Sequence, residues 1–389
     1  MIHFDFENNC CGCGVCFAVC PAHAIAMQQD TNGFPFPSVD AKKCVDCGKC
    51  ELVCPHLNGT TKKNKSVDAW LYRSKDVSTL QRSSSGGAFF ELAKRFMTED
   101  HGVVCGCAWN ADWHAEHIVV DQLDALHAIQ GSKYVQSTSA NAIQDVVSLL
   151  SSRKKVLFSG TPCQVTAVHN AVLTSFGESA RDRLLTVGII CHGVSAPAVW
   201  TSFREYLETK MKSKLIDINF RDKTKKGYGV PYCKYMFADG RTTYLPTFLP
   251  SSKYIEATIV YNLAMRKCCT HCDCKGVNQA CDILLGDWYT ECKGEGRNGT
   301  SCICAFSNRG KNYVTKWLDR LQPIAFETIV KKNELIATSV KASNRRDAFL
   351  RELTPGIWKH VEKYYPRRYI LKFILVKTGL YPLIKKIIG

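Results

Sequence analysis

The strongest constraint on this chain is a cysteine pattern used twice near its start. Cys10, Cys13, Cys16 and Cys20 precede Pro21, and Cys44, Cys47, Cys50 and Cys54 precede Pro55, so each run spells C-x2-C-x2-C-x3-C-P. Three thiolates on one tight turn can cap three irons of a cubane, and the fourth ligand must then arrive from elsewhere. With this spacing the last cysteine of each run serves the cluster held mainly by the other run. The pattern therefore predicts two [4Fe-4S] clusters, one on Cys10, Cys13, Cys16 and Cys54, the other on Cys44, Cys47, Cys50 and Cys20. Zinc usually takes two pairs of ligands and has no use for a third cysteine in each run. A disulfide scaffold would call for an exported chain, yet Met1 to Phe6 leads straight into polar residues and cysteines. Cys11 falls on a non-ligand position and reads as a packed, spare thiol.

At 389 residues the chain is too long for such a module alone. Asn58 to Ser66 is rich in Lys, Thr and Asn and reads as a solvated linker. The expected division is a dicluster ferredoxin-like domain over residues 1–62, a mixed α/β domain over 63–350 and a basic tail over 351–389. Eight of the 22 cysteines lie in the two runs, and the fourteen others point to metal chemistry in a reducing cytoplasm. The net charge of +16 favours an acidic partner, first of all an acidic electron carrier such as ferredoxin or flavodoxin. Nucleic acid is not expected, because no helix-turn-helix, finger or RNA-binding signature gives the charge a reading geometry. No stretch approaches the length of a membrane span.

Short strands and helices alternate through the larger region, which argues for a sheet with parallel neighbours and ligand sites at the carboxyl ends of its strands. Helices are expected over Ala88 to Met97, Ala142 to Leu150, Val165 to Val172, from Pro197 onward and over Tyr254 to Arg266. Strands are expected over Val103 to Ala108, Lys155 to Phe158, Leu184 to Ile190, Ile283 to Leu285 and Cys302 to Phe306, with an antiparallel meander at Ile216 to Phe220 and Tyr232 to Phe237. From Lys359 on, eight Lys or Arg stand against one Glu and interleave with Ile370, Phe373, Ile374, Leu380 and Leu383. That tail reads as a basic helix packed on the domain, with peripheral contact to a membrane surface as the alternative.

Two further features carry chemistry. Cys163 follows one strand and turn, Cys191 ends another strand, and Cys269 and Cys272 form a C-x2-C pair. If the two strands are neighbours, these four thiols make a third cluster site, for which Cys268 and Cys274 compete and zinc is the rival metal. Cys105, Cys107, Cys233, Cys281, Cys292, Cys302 and Cys304 read as lone buried thiols. Ser83-Ser84-Ser85-Gly86-Gly87-Ala88 opens a helix, where backbone N–H groups can hold a phosphate or simply cap the helix.

The segments SSSGGAFFELA (83–93), GSKYVQS (131–137), FSGTPCQVTAV (158–168), ICHGVSAPAVW (190–200) and CTHCDCKG...CDILLGDWY (269–289), in that order, resemble the coenzyme F420-reducing hydrogenase/dehydrogenase family of beta subunits, which includes 7-hydroxymethyl chlorophyll a reductase. The resemblance implies a flavin- and cluster-binding α/β domain behind the dicluster module, with FAD and [4Fe-4S] clusters as cofactors. It implies Ser85, Gly86 and Gly87 at the FAD phosphates, Lys133, Tyr134 and Thr161 by the flavin, Asp287 near the same site, and Cys163, Cys191, Cys269 and Cys272 around the adjacent cluster. His192, beside a ligand, is a candidate proton donor, with a core-bonded imidazole as the plainer alternative. Clusters take one electron at a time and hydride chemistry moves two, so a flavin is the expected converter between them. The expected function is electron transfer from a ferredoxin-type donor through clusters and FAD to a small organic acceptor. The alternatives are a component of a coenzyme F420 oxidoreductase and a non-catalytic electron-transfer component of a larger complex.

Overall fold

The computed structural model describes residues 1–59, 66–228, 232–246, 252–277, 279–289 and 294–366. In the N-terminal module, strands β1 (Ile25–Gln29) and β2 (Pro35–Val39) pair antiparallel, with Ile25 opposite Val39. One-turn helices at Val15–Ala18 and Lys49–Leu52 carry the third cysteine of each run. Both are entered through a glycine in left-handed conformation, Gly14 (φ 76°) and Gly48 (φ 70°). The module is not a free satellite: Cys13, Val15 and Val53 join the main hydrophobic core.

Strands β3 (Asp68–Tyr72), β4 (Val103–Trp109), β5 (Ala115–Val120), β6 (Val156–Gly160) and β7 (Leu184–Ile189) belong to the large sheet. A separate antiparallel meander holds β8 (Leu215–Asp222), β9 (Tyr232–Phe237) and β10 (Thr242–Pro246). Strands β11 (Ile283–Asp287), β12 (Ser301–Ala305) and β13 (Gln322–Pro323) complete the large sheet, whose order is β13-β3-β12-β11-β7-β6-β4-β5. The central pairs β4·β6, β6·β7 and β7·β11 are parallel, and the outer pairs are antiparallel.

The central strands are apolar on both faces, as a sheet covered by helices on each side requires. Val156, Phe158, Leu184 and Leu284 pack with the helices Ala140–Ser151 and Pro162–Phe176. Their neighbours Leu157, Leu185 and Ile283 face the helices Ala88–Glu99 and Asn308–Trp317. A second core joins the meander to the helix Pro197–Met211 around Trp200, Phe203 and Tyr254.

Two expectations change. The stretch Tyr254 to Arg266 is helical only at its start: Lys253–Ile255 passes into a π-turn at Glu256–Val260, and Asn262 (φ 52°) stops it. The chain then runs back through Met265, paired with Ser195. Of the basic tail, residues up to 366 are described, and they form two 3-10 turns, Pro355–Lys359 and Val361–Tyr364. Trp358 is fully buried there and donates Nε1–H to Ser202 Oγ at 3.0 Å. The apolar and basic alternation beyond Arg367 lies outside the described residues. Among the described residues no helix is long and apolar enough to cross a membrane.

Candidate functional site

The two cysteine runs fold as their spacing demands. Each loop holds two residues of positive φ around its second cysteine, Gly12 and Gly14 in one and Asp46 and Gly48 in the other. Alternation of this kind turns successive N–H groups toward one point and makes a concavity for an anion. The Gly12 N–H lies 3.3 Å from Cys10 Sγ and the Ala24 N–H lies 3.3 Å from Cys20 Sγ, contacts that stabilise a thiolate. Cys10, Cys16 and Cys54 are mutual electrostatic neighbours, and Cys54 and Cys16 both act on Cys13. Cys20, Cys44, Cys47 and Cys50 line one small cavity of their own. The crossover of the fourth cysteines is thus present in the geometry. We call the Cys10 site proximal, because it faces the large domain, and the Cys47 site distal, because Cys47 is exposed.

The third constellation forms because β6 and β7 are parallel neighbours. Both strands end at one edge of the sheet, Cys163 following β6 and Cys191 following β7. Cys163 is the second residue of the helix Pro162–Phe176, behind a Thr161–Gln164 capping box, where the helix dipole favours a thiolate. The loop carrying Cys269 and Cys272 folds over them, and Cys191 feels Cys269, Cys163 and Cys272 in that order. A hydrogen bond from Cys274 holds the Cys272 thiol below its usual range, and one from Cys268 does the same for Cys269. Cys268 and Cys274 are buried and sit as donors to the outer pair. Burial pushes the Cys191 thiol up, the cost of gathering sulfurs out of water. Cys11 is no spare thiol: it is hydrogen-bonded to Cys13 of the proximal site and to Cys163 of the third. Every described cysteine is free of disulfide bonding. Among the described residues no three His, Cys, Asp or Glu close around a single ion, and a cubane, with one thiolate on each iron, needs a wider ring than zinc does.

Beside the third site opens a cavity of about 360 Å³, within the range of small-ligand sites. It runs from the serine turn to the edge where β6, β7 and β11 end. Of the candidate residues, Ser85, Gly87, Lys133, Tyr134, Thr161, Cys191, His192 and Asp287 all line it. Gly86 does not: its N–H bonds Ser301 Oγ, and a Cβ there would stand 2.3 Å from the Tyr72 carbonyl oxygen. Gly86 lets the turn lie against the sheet, while its neighbours face the cavity. The turn is held from several sides, by Gln130 on Ser83, the Ser132 N–H on Ser84, and Lys223, whose ammonium donates to the carbonyls of Ser85 and Asn298 at 2.8 Å each. Burial lowers Lys223 to about 7.

The walls are chemically distinct. Lys133 donates to the carbonyls of Ala128, Gln130 and Gly131, so its charge meets no carboxylate, and burial pulls its pKa down. Asp287 accepts from Arg221 at 3.1 Å and from the Tyr289 hydroxyl at 2.8 Å. His192 Nε2 meets Asn262 Oδ1 at 2.7 Å, so the ring is fixed at the wall, and burial lowers its pKa. His117, on the floor, bonds the Ser159 carbonyl through Nε2 and Ser137 Oγ through Nδ1, and burial lowers it to about 4. Cys107 also lines the cavity, so it is not a lone core thiol, whereas Cys105, Cys233, Cys281, Cys302 and Cys304 are. Cys292 lies outside the described residues.

The family profile described as the C terminus of the coenzyme F420 hydrogenase/dehydrogenase beta subunit matches residues 153–331, and a 4Fe-4S dicluster domain matches residues 9–58. The chain belongs to the coenzyme F420 hydrogenase/dehydrogenase family of beta subunits. Within it, the F-type component of the F(420)H(2) dehydrogenase of Methanosarcina mazei is 22% identical over 228 residues, 56% of this chain and 61% of that one. An uncharacterized protein of Methanocaldococcus jannaschii is 26% identical over 221 residues, 47% of this chain and 59% of the relative. The B component of the Na(+)-translocating ferredoxin:NAD(+) oxidoreductase complex of Acetobacterium woodii is 48% identical over 47 residues, 12% of this chain and 13% of that one. The alignments with the first two relatives span about three fifths of their length. Among solved structures, a chain of the F420-reducing [NiFe] hydrogenase complex from Methanosarcina barkeri matches 78% of this chain and 92% of its own, at 16% identity and a TM-score of 0.46. This member of the family is an iron-sulfur electron-transfer protein of oxidoreductase type.

Arg221, Lys223, His117, Cys107 and the bridging position of Cys11 were not found from the sequence. Arg221 and Lys223 stand in or beside a strand whose alternation says only that it is half-buried. Cys11 had a signal, a cysteine inside a ligand loop, but its partner Cys163 is 152 positions away.

Proposed function

We propose that this protein passes electrons from a ferredoxin-type donor through the distal, proximal and third cluster sites to FAD held in the cavity, and from there to a small organic acceptor. The observation that carries the reading is the single cavity reaching from the serine turn at residues 83–88 to Cys191 of the third site. The residues present fit such a group. The turn that opens the helix Ala88–Glu99 offers hydroxyls and a helix N-terminus to phosphates. Lys133 adds a positive charge without a carboxylate partner, and Tyr134, Ile189, Ile255 and Ile259 offer an apolar wall to a ring system. When bound, the flavin supplies the exchange between one-electron and two-electron chemistry.

This chain's own residues then have definite tasks. Ser85 and Gly87 hold the anionic end, and Lys133 balances its charge. Asn262 orients the His192 ring, which is proposed to carry the proton that accompanies two-electron reduction of the acceptor. The distal site faces the donor: Lys42, Lys43 and Lys49 are exposed around it together with Val45 and Leu52. Basic side chains around an apolar centre suit an acidic carrier.

Release of flavin from anaerobically purified protein tests the reading, with about one FAD per chain expected and K133A expected to retain far less, as loss of a charge-assisted contact of about 2 kcal/mol implies. Clusters without flavin would leave a non-catalytic electron-transfer component. H192N should slow reduction of an acceptor while leaving cluster reduction by the donor unchanged, and equal loss in both steps would remove the proton role. A second reading, F420 as the acceptor, is favoured by the family itself, and reoxidation of the reduced protein by F420 would select it.

A further inference from the structure

Arg266 is almost wholly buried, at 1% exposure, yet it is paired with no carboxylate among the described residues. Its three donor nitrogens go to neutral oxygens: Nε to the Cys10 carbonyl at 2.6 Å, Nη1 to Gln136 Oε1 at 2.9 Å and Nη2 to the Pro35 carbonyl at 2.9 Å. Its plane lies over Phe36 (4.3 Å) and Phe34 (5.1 Å). The acidic side chains bordering the neighbouring cavity are engaged elsewhere, Glu7 with Lys267, Asp347 with Arg346, and Asp30 with the N–H groups of Asn32 and Phe34. A buried cation without a counter-charge is costly unless something negative stands near it. The Cys10 loop is where such a charge would be: a [4Fe-4S] cluster with four thiolates is an anion, and reduction adds one more negative charge.

Arg266 also joins two sites. Its guanidinium holds the carbonyl of Cys10, a proximal ligand, while its own carbonyl accepts the N–H of Cys269 at 3.1 Å. Gln136, the acceptor of Nη1, donates in turn to the Cys11 carbonyl at 3.0 Å, and Ser139 donates to the Cys13 carbonyl at 2.8 Å. The large domain therefore grips the proximal loop at three successive places.

We infer that Arg266 is the counter-charge and brace of the proximal cluster, contributed by the large domain, and that it holds that cluster at a higher reduction potential than the module alone would give it. The inference rests on the reading of Cys10, Cys13, Cys16 and Cys54 as cluster ligands. A positive charge favours the more negative, reduced cluster, so its removal lowers the potential. The distal site, on the far side of the module, lies outside this grip.

The test is a potentiometric titration of the anaerobically purified full chain followed by electron paramagnetic resonance, with the distal signal identified by its change in C47A. In R266Q the proximal cluster should titrate at lower potential while the distal cluster stays in place, and R266K, which keeps the charge, should remain near the parent. Q136E sets a carboxylate against the guanidinium without removing it and should shift the proximal cluster the same way, which decides the matter if R266Q does not fold. Unmoved proximal potentials in R266Q or Q136E, a shift in R266K as large as in R266Q, or an equal shift of the distal cluster would each overturn the inference. Iron and sulfide measured on the same samples separate the two failures: a parent chain short of iron defeats the cluster reading, while full iron with unmoved potentials defeats only the role of Arg266.

Discussion

His117 stacks on Phe158 and has both ring nitrogens bonded, so it is a neutral imidazole built into the floor of the cavity. Its folded pKa of about 4 lies below the usual 6.5, so between those values the unfolded chain binds the extra proton. Stability is therefore complete above pH 6.5 and falls as the solution is acidified toward 4. Between pH 8 and 5.5 the loss from this one group is about 1 kcal/mol. Thermal melts of the anaerobic holoprotein should show that acid sensitivity, and H117Q should lack it; identical slopes in the two proteins would refute the assignment. Gly14 makes a second point at this scale. At φ 76° its Cβ would stand 2.4 Å from the Cβ of Ala140, whereas at Gly48 in the matching loop nothing lies within 4 Å. G14A should cost about 2–4 kcal/mol from strain plus overpacking, and G48A only the strain, about 1 kcal/mol. Melting temperatures that fall equally would show that the module is not seated on the helix Ala140–Ser151.

At the scale of elements, the decisive fact is that β6, β7 and β11 run parallel side by side. That arrangement carries Cys163, Cys191 and Asp287 to one edge, and the sequence made it readable through strand–helix alternation and a strand ending in a cysteine. Ligand loops were the most legible part, because their spacing is dictated by a rigid inorganic object. Strands β3 and β13 and the helix Val77–Arg82 were missed, being short and lacking a period long enough to register. The stretch after Tyr254 was read as helix on its apolar spacing, but local preference yielded to the need to return Arg266 to the Cys10 loop. Contacts such as Arg266 with Cys10, or Cys11 with Cys163, were illegible for a simple reason: they join segments that only the completed fold brings together. The serine turn was legible as a helix start, and the structure divides it into Gly86, which packs, and Ser85 and Gly87, which face the cavity.

For the whole molecule, the three cysteine sites form a line from an exposed distal site to the cavity, and the +16 charge bears on who meets its outer end. Reduction by an acidic carrier should slow steeply as ionic strength rises, because screening removes attraction beyond about 10 Å at 0.1 M salt. A salt-independent rate would argue for a donor fixed in a complex instead. The claim on which everything else depends is that Cys163 and Cys191, with Cys269 and Cys272, complete a third cluster beside a flavin. It is tested most directly by iron, sulfide and flavin content of the anaerobically purified chain and of C163S/C191S. At four irons per cubane the account predicts about twelve irons and one FAD in the parent and about eight irons in the variant. Eight irons in both proteins, or twelve with no flavin, would contradict it.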